Sequence, residues 1–163
     1  MNRLDARFKG LAGHGRKALI GYLTGAYPSM RRMEKAARDL ERAGADVIEI
    51  GVPFSDPIAD GPTIQYSSQR ALETGVTLFD LLAWARRFRK TSNVPLVFMS
   101  YANPIHHVGY ARFARLASDC GIDGLIVPDM IPEESRVLRR ELDRRRVALI
   151  CLVAPTTPPE RQK

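Results

Sequence analysis

An α/β fold built on parallel strands is predicted for this 163-residue chain by three observations. Short apolar runs alternate with segments of helical period, the pattern that crossover helices between parallel strands produce. The runs are near-continuously apolar, as in sheets covered on both faces. Polar residues then gather where the runs end: Thr24, Glu49, Ser100, Tyr101, Asn103 and Asp129. An open doubly wound sheet and a (β/α)8 TIM barrel both satisfy the first two observations. No Gly-x-Gly-x-x-Gly follows the first run, which argues against a dinucleotide-binding open sheet. A barrel places its active site at a mouth made of several strand C-termini, so the third observation favours the barrel.

The elements follow in order. The run from Ala18 to Thr24 is the first strand, closed by Gly25 and Pro28. Ser29 is an N-cap for a helix whose apolar positions are Met33, Ala36, Ala37 and Leu40, with Gly44 as its stop. Asp46 to Ile50 is the second strand, followed by a long loop, then helices over about 63–73 and 78–90. Pro95 to Ser100 is the third strand and 110–118 the next helix, with Asn103 to His107 between them read as loop. Gly124 to Val127 is the fourth strand, Glu133 to Arg144 a helix, and Arg146 to Val153 the fifth strand. Pro155 to Arg161 reads as a loop opening a further helix. Four strand–helix units and a fifth strand fall short of a barrel, which typically needs about 250 residues. The expectation is a single partial TIM-barrel domain over 1–163, truncated to about the first five strands.

Composition narrows the function classes. With 45% hydrophobic residues the chain has enough apolar content for a packed core. No apolar run approaches the about 20 residues that span a bilayer, and the charged N-terminus lacks the apolar core of a secretory signal. A cytoplasmic protein without membrane partners is expected. Cys120 and Cys151 have no metal-ligand or redox spacing, and no metal site is expected. The net charge of +7 rests on 20 arginines among 25 basic residues, clustered at 31–32, 86–90, 139–140 and 144–146. These clusters sit on separate helices instead of one stripe with interleaved aromatics, so they read as solvated helix faces and not as a nucleic-acid surface.

The chemistry concentrates between Asp46 and Gln65. Val47 and Glu49 share one face of the second strand, and Ile48 and Ile50 share the other. A carboxylate inside an apolar strand is costly unless compensated. If its face points into the barrel, Glu49 emerges at the mouth, where desolvation raises its pKa toward the range useful for proton transfer. The bland alternative is an arginine partner at a strand end. Asp60 sits on the following loop, between Ala59 and Gly61-Pro62. It is either a second mouth carboxylate or an ordinary N-cap for the next helix, and Asp56-Pro57 fits a simple turn. His106-His107 lacks further ligands and reads as a surface pair. Tyr22, Met99 and Tyr101 are lumen or mouth residues, and their pattern alone reads as packing before recognition.

The segment Glu49-Ile-Gly-Val-Pro-Phe-Ser-Asp-Pro-Ile-Ala-Asp-Gly-Pro-Thr-Ile-Gln65 closely resembles the hallmark stretch of the tryptophan synthase α subunit family. Four further segments resemble the same family in the same order: Tyr22 to Pro28, Ser100 to Ile105, Gly124 to Asp129 with Pro132 to Ser135, and Leu152 to Thr157. The resemblance implies a (β/α)8 barrel lyase that cleaves indole-3-glycerol phosphate to indole and glyceraldehyde 3-phosphate by a retro-aldol step, with no cofactor of its own. It implies Glu49 as the acid/base, Asp60 as the carboxylate holding the indole N–H, and Tyr22, Ile64, Met99 and Tyr101 as the indole pocket. It implies that Pro53, Asp56, Pro57 and Asn103 meet a β subunit, which holds pyridoxal phosphate within an α2β2 complex. The late strands and loops that grip the substrate phosphate in such barrels are not among these residues. The alternative expectation is therefore a catalytically impaired fragment that acts only as a β-subunit interaction protein.

Overall fold

The computed structural model describes residues 2–162. Five parallel strands form one sheet in sequential order: β1 (Ile20–Thr24), β2 (Val47–Gly51), β3 (Leu96–Met99), β4 (Gly124–Ile126) and β5 (Ala148–Ile150). Seven α-helices accompany them: α1 (Arg3–Gly13), α2 (Met30–Arg42), α3 (Pro62–Leu72), α4 (Leu78–Phe88), α5 (Ala102–Val108), α6 (Tyr110–Asp119) and α7 (Arg136–Arg144). Tyr22 stands beside Glu49, Glu49 beside Val97, Val97 beside Gly124, and Gly124 beside Ala148. The strand that leaves each helix thus pairs with the strand that entered it, the sequential arrangement of a barrel wall.

The period-2 alternation divides the apolar residues between two cores. The outward set (Ile48, Ile50, Leu96, Phe98, Leu125) packs under the helices against Met33, Leu81, Trp84, Phe88, Phe113 and Leu138. Each such large side chain contributes about 1.5–3 kcal/mol by burial. The inward set is smaller: Val47, Val97 and Ile126, with Met99, Ala148 and Ile150 partly buried beside them. Leu4 of α1 joins this inward set, so α1 closes the end of the sheet opposite the mouth.

That floor is held by charge. Asp123, immediately before β4, accepts from Arg3 at 2.9 Å, from Arg89 at 3.1 Å and from the Leu96 amide at 3.0 Å. Arg89 also binds the carbonyls of Gly121, Ser92 and Val94, and burial lowers its pKa. Asp46, immediately before β2, accepts from the Leu19 amide at 2.7 Å and pairs with Arg7 at 2.9 Å. The Leu19 amide, opposed by burial and helped by Arg7, holds the Asp46 carboxyl below the usual carboxylate range.

One element was not anticipated and several expectations need correction. The N-terminal segment, for which no element was expected, is a helix that opens with an Asn2–Asp5 capping box. Residues 102–108 form α5 and not a loop, because Pro104 lies in the first turn, where its missing N–H costs nothing. His106 and His107 therefore sit on that helix, with His106 edge-on to Tyr110 at 5.8 Å. The helix expected from Glu133 begins at Arg136, after turns through Ser135. The fifth strand is limited to Ala148–Ile150, since Arg146 has a positive φ of 58° that ends extended structure on its near side. Past Pro155 the expected helix is a single 3-10 turn, Pro159–Arg161. Among the clustered arginines expected to be solvated, Arg89 and Arg139 are half-buried, and only Arg89 binds an acid in the floor. Cys120 is buried and Cys151 exposed, and both are free.

Candidate active site

The mouth is assembled from the C-terminal ends of β1, β2 and β3. Glu49 is half-buried on the inward face of β2, between Tyr22 of β1 and Val97 of β3 in register. Among the described residues no arginine or other side chain pairs with its carboxyl. Desolvation alone raises its pKa. The arginine-partner alternative is thereby set aside.

Asp60 reaches the same mouth from the loop after β2. Gly61, and not Asp60, is the N-cap of α3, and no side chain caps that helix, so the capping alternative falls as well. The Tyr101 hydroxyl accepts a hydrogen bond from the Ala59 amide at 3.1 Å, and its ring stacks on Phe54 at 5.0 Å. Burial raises the Tyr101 pKa, and the adjacent Asp60 carboxylate adds to the effect. Tyr22 is raised in the same way, by burial first and then, against an opposing hydrogen bond from Thr24, by the charges of Asp60 and Glu49. Both carboxylates and both phenols therefore share one electrostatic neighbourhood.

Glycine at position 51 makes room for this arrangement. A Cβ there would lie 2.0 Å from the Tyr22 hydroxyl oxygen, so the phenol occupies the space a side chain would fill. Met99 is half-buried at the end of β3, and Ile64 is half-buried on the first turn of α3. The structure thus brings together Tyr22, Glu49, Asp60 and Tyr101, with Met99 on the same inward face of the sheet; Ile64 is placed only on the helix that follows Asp60. The expected partner-facing residues are divided: Pro53 is buried, Pro57 half-buried, and Asp56 and Asn103 exposed. Sequence reasoning missed the supporting role of Asp129, whose carboxylate accepts from the Ala102 amide at 2.9 Å and so caps α5 from a neighbouring loop. It also missed the buried Thr24–Ser67 hydroxyl pair at 2.7 Å. Neither has a local sequence signature, since each joins residues more than 25 positions apart. Among the described residues no cluster of three or more His, Cys, Asp or Glu could hold a metal, and no helix is long and apolar enough to cross a membrane.

The family model described as tryptophan synthase alpha chain matches residues 8–163. The chain belongs to that family. The tryptophan synthase alpha chain of Thermoanaerobacter pseudethanolicus is 46% identical over 157 residues, covering 96% of this chain and 60% of that protein. The one from Citrifermentans bemidjiense is 48% identical over 157 residues, with 96% and 59% covered. Among solved structures, tryptophan synthase subunit alpha from Legionella pneumophila str. Paris matches with a TM-score of 0.95 at 40% identity, over 99% of this chain and 62% of that one. Mycobacterium tuberculosis tryptophan synthase matches at 0.92 and 39%, over 98% of this chain and 62% of that one. The chain spans about 60% of the length of the curated relatives it matches. Its five-stranded sheet is the corresponding part of the TIM barrel of this tryptophan-biosynthesis family.

Proposed function

We propose that this chain carries the acid/base half of a tryptophan synthase α-type lyase site, for retro-aldol cleavage of indole-3-glycerol phosphate to indole and glyceraldehyde 3-phosphate. The observation that carries the reading is the Glu49 carboxyl: inward-facing, desolvated and without a bonded partner among the described residues, with Asp60 at the same mouth. Cleavage needs a proton delivered to indole C3 and one removed from the glycerol hydroxyl beside the breaking bond. A carboxyl with a raised pKa serves both steps. Asp60 accepts the indole N–H and stabilises the positive charge that develops on the ring. Tyr22, Ile64, Met99 and Tyr101 form the apolar walls against which the indole lies.

In this reading residues 1–163 act as a single partial barrel domain in the cytoplasm, with no cofactor of their own. Asp56 and Asn103, supported by Pro53 and Pro57, face a β subunit that holds pyridoxal phosphate in an α2β2 assembly. The test is indole release from indole-3-glycerol phosphate by the chain, alone and with β subunit. Indole formation that Glu49→Gln abolishes in a folded protein supports the lyase. Stimulation of the β subunit with no indole formed in either condition overturns it in favour of an interaction-only role.

A further inference from the structure

The last backbone rungs at the mouth run from the Val52 N–H to the Met99 carbonyl at 2.7 Å and from the Ser100 N–H to the Ile126 carbonyl at 3.0 Å. Beyond them, among the described residues, no backbone hydrogen bond joins the loops that follow β2, β3 and β4. Side chains take over there. Tyr101 accepts from the Ala59 amide, and Asp129 accepts from the Ala102 amide with both carboxylate oxygens, at 2.9 and 3.2 Å. Ala102 directly follows Tyr101, and Ala59 directly precedes Asp60. Two hydrogen-bonded contacts and two peptide links therefore lead from Asp129 to Asp60 across three loops. The Ala102 amide opens α5, whose N-cap residue, Tyr101, supplies no side-chain cap of its own. Without Asp129 that amide would be one of the orphan donors of the helix start.

We propose that Asp129 is a positioning residue for Asp60, acting through the Ala102 amide and the Tyr101 hydroxyl. Among the described residues Asp129 hydrogen-bonds to Ala102 alone, so the start of α5 is the element it holds. Tyr101 is 3% exposed and its ring lies on Phe54 at 5.0 Å. A side chain packed this closely moves with its backbone, so a shift of the α5 start carries the hydroxyl away from Ala59. Gln65 donates to the Asp60 carbonyl at 2.8 Å and fixes the loop from the α3 side. The Ala59 side is left to Tyr101, and through it to Asp129. The proposal rests on the lyase reading for what Asp60 is positioned to do, holding the indole N–H, while its test reads the loop directly.

The experiment is amide hydrogen exchange by NMR in the 163-residue chain. Asp129→Ala should speed exchange at Ala102 and, in the loop after β2, at Ala59, each by about fivefold, the loss of one ordinary hydrogen bond. Asp129→Asn keeps an acceptor oxygen and should hold both amides at the parent rate. Tyr101→Phe should speed Ala59 and spare Ala102, and adding Asp129→Ala to it should accelerate Ala59 no further. An Ala59 rate unmoved by Asp129→Ala, or raised further in that double variant, would reduce Asp129 to a local cap and overturn the proposal. Equal acceleration in Asp129→Asn would assign the effect to charge and overturn it too. If Asp129→Ala does not fold, Ala102→Pro added to it decides. Proline suits the first position of a helix, Tyr101 is already extended with ψ 158°, and no orphan donor remains at that position. Ala59 should still exchange faster than in the parent, and a parent rate refutes. Indole release that falls in Asp129→Ala and returns in Asp129→Asn would support both readings. Exchange as described in a chain that forms no indole would keep the positioning role and sink the lyase reading alone.

Discussion

The Tyr101 hydroxyl accepts the Ala59 amide across 3.1 Å, tying the end of β3 to the loop that carries Asp60. Asp60 is thus held from two sides, by a residue 41 positions away in the chain and by Gln65 of the following helix, which donates to the Asp60 carbonyl at 2.8 Å.

Tyr101→Phe tests that tie. Loss of the hydroxyl should cost about 1 kcal/mol and speed hydrogen exchange at the Ala59 amide, while exchange in β2 stays unchanged. Unaltered exchange at Ala59 would show that the loop is held by the Phe54 stack alone.

Glu49→Gln has two expected effects of opposite sense. Indole release should fall by about 10²-fold or more, the usual scale of lost general acid–base help. Stability should rise near neutral pH. Burial lifts the Glu49 pKa in the folded protein above its unfolded value, so the stability linked to its proton is complete below the unfolded pKa and is lost as pH climbs through the folded one. The Gln variant has no such loss. Its Tm should exceed the parent's at about pH 7.5 and converge with it toward about pH 4, below the ordinary glutamate range. A Tm advantage that grows on acidification would contradict this.

Gly51→Ala places a methyl group 2.0 Å from the Tyr22 hydroxyl oxygen. Overpacking of this kind costs about 1–3 kcal/mol, and Tyr22 must move. Denaturant midpoints should fall in the single variant and recover most of the way in Gly51→Ala with Tyr22→Ala. A double variant no better than the sum of the two singles would place the strain elsewhere.

Asp123→Ala removes the partner of Arg89 and Arg3 in the floor. Arg89 is only 11% exposed, so it is left as an uncompensated charge. A loss of about 3–5 kcal/mol is expected. Arg3→Ala removes a side chain that is 40% exposed and should cost about 1 kcal/mol or less. Urea unfolding of the two variants checks the ordering, and equal losses would contradict it.

Strands β2, β3 and β4 and helices α2, α4 and α6 were legible because each is set by local pattern: an apolar run, a cap, a periodic stripe. Met33 and Ala37 on α2 mark its buried face, and Gly44, with φ 91°, ends it where only glycine is comfortable. Helix α1 escaped notice because Leu4 and Leu11 are its only buried residues, Phe8 is exposed, and the rest is charged or small. Helix α5 was hidden by Asn103-Pro104, a turn signal that is equally compatible with a helix start. Glu49 was visible as a polar residue in an apolar strand; Thr24 and Asp129 were visible only as polar strand ends, without their partners, and Ser67 was not visible at all. Their roles depend on partners that the chain brings close only when the sheet closes.

Strand β2 is served by two acids of opposite temper, Asp46 just before its entry, satisfied by Leu19 and Arg7, and Glu49 at its middle, unsatisfied. The entry anchors the strand whatever happens three residues later. Substitutions at the mouth can therefore accumulate without unmooring the strand. The same scaffold can be retuned for another substrate by changing residues at the exit, while selection on the floor continues to guard folding alone.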